Sequence, residues 1–287
     1  MIKTDHWRDY LRLMRLHRPI GSLLLLWPTL WALWIAARGR PAPWMVLVFV
    51  AGVLLMRSAG CIVNDLFDRK LDPQVWRTRD RPIATGRVSR PEALALAGFL
   101  CLLALPLAWV LGRLAVLLSL VALVLAATYP LMKRYTDMPQ AYLGVAFGWG
   151  IPMAFAAERG DVPAIGWLLL LANIFWTIAY DTAYAMADRA DDIRAGARSS
   201  AILFGRGDRL WVGVFHVLAL ATLAFVGRRL GLNALYYAGL VVAGMFAAYQ
   251  QYLIRTREPK ACLAAFHNNN WFGGCVFAGL FCSYLWR

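Results

Sequence analysis

Residues 56–72 read Met56-Arg57-Ser58-Ala59-Gly60-Cys61-Ile62-Val63-Asn64-Asp65-Leu66-Phe67-Asp68-Arg69-Lys70-Leu71-Asp72, and this run decides the fold. It enters as apolar helix and leaves as charge, followed by Arg77, Arg79, Arg81, Arg87 and Arg90. Asn64, Asp68 and Asp72 stand four residues apart, so in a continuous helix they share one face. Carboxylates packed that closely repel one another unless a cation lies between them. Oxygen donors without His or Cys favour a hard ion, Mg²⁺ or Ca²⁺.

The apolar entry to this run recurs along the chain. The 287 residues are 61% hydrophobic and 16% charged, with a mean hydropathy of +0.55. Soluble domains are about half apolar and a quarter charged, so an all-α polytopic membrane protein is expected, built as one bundle around a central cavity. Long unbroken apolar stretches argue against a transmembrane barrel. Nine are long enough to span hydrocarbon, over 20–37, 44–66, 91–111, 114–132, 139–157, 163–186, 208–227, 232–254 and 267–286. Of the thirty Lys and Arg, twenty-two fall on the N-terminal side of this topology, seven on the other, and Arg57 lies within the second stretch. The N-terminus is therefore expected inside and the C-terminus outside.

The net charge of +14 is spread between apolar stretches, which points to topology and anionic ligands rather than nucleic acid. One domain over 1–287 is expected, with loops 67–90 and 187–207 capping a site. Residues 1–18 are read as an amphipathic segment on the cytoplasmic surface, with Trp7, Tyr10, Leu11 and Met14 at helical spacing. The five cysteines lie within apolar segments and read as small core residues. Asn268-Asn269-Asn270 is expected to hydrogen-bond between helices, and Gly148, Gly150 and Pro152 to allow close packing or a kink.

The acidic end of the second stretch has an echo. The sixth closes as Tyr180-Asp181-Thr182-Ala183-Tyr184-Ala185-Met186-Ala187-Asp188-Arg189-Ala190-Asp191-Asp192, and Arg194, Arg198, Arg206 and Arg209 follow. Asp181, Tyr184, Asp188 and Asp192 fall at spacings of three and four on one helix face. Both rows close even-numbered stretches, where the helix dipole is already negative, so bound cations would relieve them. Mg²⁺ pairs a few carboxylates with water and phosphate oxygens, and basic loops clamp phosphates. A lipid carrying a diphosphate fits that combination. Tyr129, Lys133 and Arg134 close the fourth stretch at the same level, within reach of the same diphosphate. Asp65 and Asp191 read as ordinary border charge. Arg57 lies about 10 Å deeper than Asn64 at the helical rise, where an ionisable side chain points to function. It is placed either to pair with Asp181 or to hold an anionic acceptor.

Asn64-Asp65-x-x-Asp68-x-x-x-Asp72 with Arg77 and Arg81-Pro82, and Tyr180-Asp181-x-x-Tyr184-Ala185-x-x-Asp188-x-x-Asp191-Asp192, resemble the two aspartate-rich motifs of the intramembrane aromatic prenyltransferases. The resemblance runs nearly end to end. Arg18-Pro19-Ile20-Gly21, Tyr129-Pro130-x-Met132-Lys133-Arg134-Tyr135 and Ala201-Ile202-Leu203-Phe204-Gly205 are similar to the branch that uses 4-hydroxybenzoate in ubiquinone biosynthesis. It implies a nine-helix bundle in a bacterial inner membrane, with the site near its cytoplasmic side. It implies Mg²⁺ as cofactor, with Asn64, Asp68, Asp188 and Asp192 as ligands and Asp72 in support. Polyprenyl diphosphate and 4-hydroxybenzoate are the implied substrates: Lys133 and Arg134 on diphosphate, Arg57 at the aromatic acid. Arg77, Arg81, Tyr129, Asp181 and Arg198 complete the expected substrate-binding set. Asn64, Asp68, Arg134 and Asp188 form the expected catalytic set, with Asp68 or Asp188 as the group that polarises the phenol or takes a proton.

Two rivals stand beside this reading. One is a related enzyme acting on dihydroxynaphthoate, homogentisate or haem. The other is a cation-coupled transporter, whose carboxylates belong at the bilayer midplane near broken helices rather than at helix ends.

Overall fold

The computed structural model describes residues 6–74 and 78–286, and among them all regular structure is helical. The helices are α1 (Trp7–Leu13), α2 (Ile20–Ala36), α3 (Pro43–Asp68), α4 (Arg90–Val110), α5 (Arg113–Thr128), α6 (Met132–Tyr135) and α7 (Pro139–Gly148). They continue as α8 (Gly150–Arg159), α9 (Ala164–Arg194), α10 (Ser200–Phe204), α11 (Asp208–Leu230), α12 (Ala234–Leu253) and α13 (Pro259–Leu285). Among the described residues five segments are long and apolar enough to cross a membrane: Pro43–Asp68, Arg90–Val110, Arg113–Tyr135, Ala164–Arg194 and Ser200–Leu230. The chain is a multi-pass, all-α membrane protein.

The bundle centre is aromatic. Trp31 of α2, Trp176 and Tyr180 of α9 and Phe272 of α13 are fully buried, with Trp176 stacked on Phe272 at 5.2 Å between centroids. Indole N–H groups lack water there, so each needs an acceptor. Trp176 Nε1 donates to Asn269 Oδ1 at 2.8 Å, Trp27 Nε1 to Asn270 Oδ1 at 3.0 Å, and Gln250 Nε2 to Asn268 Oδ1 at 3.0 Å. The asparagine triplet thus ties α13 to α9, α2 and α12, as its sequence suggests. It lies well inside α13, which begins at Pro259 rather than near residue 267.

The stretch expected as one helix over 139–157 is two, α7 and α8, meeting at Trp149. Pro152 has no N–H for the Gly148 carbonyl, so the ladder breaks one turn before it. Gly148 seats against Leu170 and Asn173 of α9, and Asn173 Nδ2 donates to the Gly144 carbonyl at 2.9 Å.

The N-terminal segment is helical over α1, where its apolar spacing lies. Tyr10 and Leu13 of α1 are buried against Ile62, Val88, Ala93 and Leu96, and Tyr10 Oη donates to Glu92 at 3.0 Å. Trp7 and Leu11 remain exposed. The segment therefore packs part of its apolar face on the α3–α4 hairpin.

Candidate active site

Helix α3 carries Asn64 and Asp68 on its last turns and ends there. Asn64 Nδ2 donates to Asp68 Oδ2 at 3.3 Å, while Tyr129 Oη donates to Asn64 Oδ1 at 3.1 Å. The Lys133 ammonium bonds Asp68 Oδ1. Tyr129 and Lys133 reach this point because Pro130 interrupts the helix after α5 and turns the chain through a 3-10 step into α6.

Asp72 does not continue the row on that helix face. α3 has already ended at Asp68, and Asp72 begins a separate 3-10 turn (Asp72–Gln74). There it is buried, and Arg81 bonds both its oxygens at 3.0 Å. Burial pushes the Asp72 carboxyl up to about 6, against the opposing pull of Arg81.

The second row behaves as its spacing requires. α9 stays helical to Arg194, so Asp181, Tyr184, Asp188 and Asp192 all line one cavity of about 870 Å³ together with Asn64, Asp68 and Asp72. Asp181 is the deepest of the four along α9. Gln140 of α7, which lines the same cavity, accepts from the Ser200 N–H at 3.0 Å, tying α7 to the start of α10. Asp191 turns to Arg194, a border pair as expected. Among the described residues no three His, Cys, Asp or Glu cluster tightly enough to cage a metal. A hard cation held between these rows would therefore be completed by oxygens from elsewhere.

Of the basic residues expected at the site, Arg57, Arg81, Lys133 and Arg198 line this cavity. Arg198 pairs with Asp137 at 3.5 Å, and its N–H donates to the Lys133 carbonyl at 2.9 Å. Arg134 is not among the lining residues: its guanidinium reaches the Phe67 carbonyl at 3.4 Å on the outer side. Arg77 lies outside the described residues. Arg57 does not pair with Asp181. Its Nη1 bonds Cys61 Sγ one turn ahead, its Nε is buried without a partner, and among the described residues no carboxylate stands within ion-pair distance.

Two groups escaped the sequence reading. Asp65, expected as border charge, is buried and accepts from Arg15 at 2.6 Å and Arg81 at 2.9 Å. It locks the N-terminal segment and the loop after α3 over the cavity. Arg15 itself lines the wall, and no local pattern could mark it because its partner is fifty residues away. A second, apolar cavity of about 290 Å³ lies between α3, α4, α5 and α8. It shares Arg15, Arg57, Asn64, Tyr129 and Phe147 with the polar one, so the two chambers meet at that ring.

Comparison with known proteins accounts for this architecture. Residues 25–276 match the UbiA prenyltransferase family. A 4-hydroxybenzoate octaprenyltransferase from Methylococcus capsulatus is 55% identical over 96% of this chain and 95% of that protein. Another, from Nitrosococcus oceani, is 56% identical over 96% and 97%. Among solved structures, an apo UbiA homologue from Aeropyrum pernix superposes with a TM-score of 0.80 at 25% identity, covering 92% of this chain and 98% of that one. A homologue from Archaeoglobus fulgidus bound to GPP and Mg²⁺ shares the fold with a TM-score of 0.73 at 17% identity, covering 96% and 99%. The family match over most of the chain and these near-full-length relatives agree with the fold, and the chain belongs to the UbiA prenyltransferase family.

Proposed function

We propose that this chain transfers a polyprenyl group from its diphosphate to the ring carbon of 4-hydroxybenzoate ortho to the hydroxyl. The observation that carries the reading is the position of Arg57. A part-buried guanidinium, its Nε without a partner and with no carboxylate of the described residues at ion-pair distance, stands where an acid-lined chamber meets an apolar one. A cation so placed calls for an anionic ligand, and an aromatic acid between a diphosphate and an isoprenoid tail supplies it. The names of the relatives support the same acceptor.

The donor set fits Mg²⁺. Asn64, Asp68, Asp188 and Asp192 offer only oxygen ligands, and too few at one point to bind the ion without phosphate. Those four would hold it, with Asp72 in support. Bound Mg²⁺ would draw off charge that collects on the departing diphosphate.

The chain's own residues do the rest. Lys133, Arg81 and Arg198 offer fixed positive charge toward the leaving group. Arg57 holds the acceptor carboxylate and so directs its ring to the donor. The bond between C1 and the diphosphate oxygen breaks, and a bond from C1 to the ring carbon forms. The proton lost from that carbon passes to a rim carboxylate, Asp68 or Asp188, and diphosphate leaves. The apolar chamber takes the start of the tail and keeps water from the cation-like C1.

The placement of the acidic rows at the ends of α3 and α9 weighs against the midplane carboxylates of a transporter. The test supplies membranes holding the protein with Mg²⁺, an allylic diphosphate and, separately, 4-hydroxybenzoate, dihydroxynaphthoate and homogentisate. Prenylated 4-hydroxybenzoate is expected. Product from another acceptor alone would reassign the acceptor, and cation-dependent uptake with no product would support transport.

A further inference from the structure

The Arg57 side chain leaves α3 and lies across Gly21, on the first turn of α2. A methyl group at Gly21 would fall on the guanidinium itself, meeting its Nε, Cζ and Nη2 atoms. Gly21 is buried, so the glycine is not there for solvent or for a turn, and its backbone is ordinary helix. On the other side Cys61 Sγ bonds Nη1. The guanidinium is therefore held between a bare patch of α2 and a thiol one turn along its own helix. Neither neighbour neutralises its charge. Both Gly21 and Arg57 line the polar chamber, and Arg57 also lines the apolar one.

We infer that Gly21 is a positioning residue for acceptor recognition: the missing side chain is the seat that aims the Arg57 guanidinium into the junction of the two chambers. The inference rests on the reading of Arg57 as the group that holds the acceptor carboxylate. A planar guanidinium binds carboxylate through paired N–H donors in a fixed fork, so a displacement of about an ångström breaks the pairing without removing the charge. Alanine at residue 21 would force that displacement. Its effect falls on the acid acceptor and not on the diphosphate donor, whose partners lie at the rim.

The experiment is a double-mutant cycle in purified, membrane-reconstituted protein, using Gly21→Ala, Arg57→Ala and the pair. KM is measured separately for 4-hydroxybenzoate and for a prenyl diphosphate. Gly21→Ala is expected to raise the acceptor KM roughly tenfold or more, the scale of one lost charge-assisted hydrogen bond, with the donor KM within about twofold. In the Arg57→Ala background the same glycine change is expected to add nothing, because the group it displaces is gone. Equal rises in both KM values, or an undiminished glycine effect without Arg57, would overturn the inference. So would loss of folded protein from Gly21→Ala in the Arg57→Ala background, since the glycine would then serve helix packing. Loss of folding only when Arg57 is present supports the inference. An unchanged acceptor KM in Arg57→Ala alone would instead overturn the carboxylate reading on which it rests.

Discussion

The Lys133 ammonium bonds the Asp68 carboxylate, joining the turn after α5 to the last residue of α3. Asp68 stands at a helix C-terminus, where the backbone dipole already disfavours negative charge. Lys133 relieves it while no cation is bound. In the proposed reaction Asp68 would help hold the cation of a metal diphosphate, and Lys133 would be released to its phosphate. Removing the lysine is therefore expected to weaken donor binding selectively. Lys133→Ala should raise the donor KM about tenfold or more with the acceptor KM little changed, as steady-state kinetics would show.

Asp65 carries structural weight that its neighbours in sequence do not. It is buried and accepts from both Arg15 and Arg81, the latter shared with Asp72. Breaking a buried pair from one side costs about 3–5 kcal/mol. Asp65→Ala is expected to lower the melting temperature by about 10 °C, read by a thermal-shift assay. Cleavage of the segment before α2 by added protease should accelerate in parallel.

Asp208 offers a control at the opposite side of the site. It is fully buried at the start of α11 and is bonded by both Arg189 and Arg257, which ties the end of α9 to the entry of α13. Asp208→Ala should destabilise on the same scale, ~3–5 kcal/mol. Because Asp208 does not line the chamber, substrate KM values in the surviving folded fraction should stay close to those of the parent.

Gly52 tests where the tail lies. It faces the apolar chamber with open space beside it, about 18 Å below Asn64 at the helical rise. Gly52→Leu fills that space. Turnover with a long polyprenyl diphosphate is expected to fall about tenfold while a five- or ten-carbon donor is used normally, measured as the ratio of kcat/KM for the two. Equal loss with both donors would mean the tail takes another route.

Much of this site is legible in the sequence, for a physical reason. Asn64 and Asp68 share a face, as do Asp181, Tyr184, Asp188 and Asp192, because helix periodicity converts spacing directly into direction. Asp72 leaves that face because α3 ends at Asp68, one turn before it. Arg134, expected at the diphosphate by its level and by the resemblance, reaches the Phe67 carbonyl instead. Arg15 was invisible because it works through a partner on another helix, Asp65. The break at Trp149 was foreshadowed by Gly148, Gly150 and Pro152, yet only the packed structure shows two helices where hydropathy implies one.

We propose that the two acidic rows act together on one metal diphosphate. This is tested most directly by prenyl transfer to 4-hydroxybenzoate, assayed across a Mg²⁺ titration, in wild type, Asp68→Ala and Asp188→Ala, each checked for folding by thermal shift. The account predicts Mg²⁺-dependent product from the wild type, and at least a hundredfold loss in each variant at unchanged folding, as expected when charge stabilisation in the transition state is removed. Turnover like that of the wild type in either folded variant would contradict it.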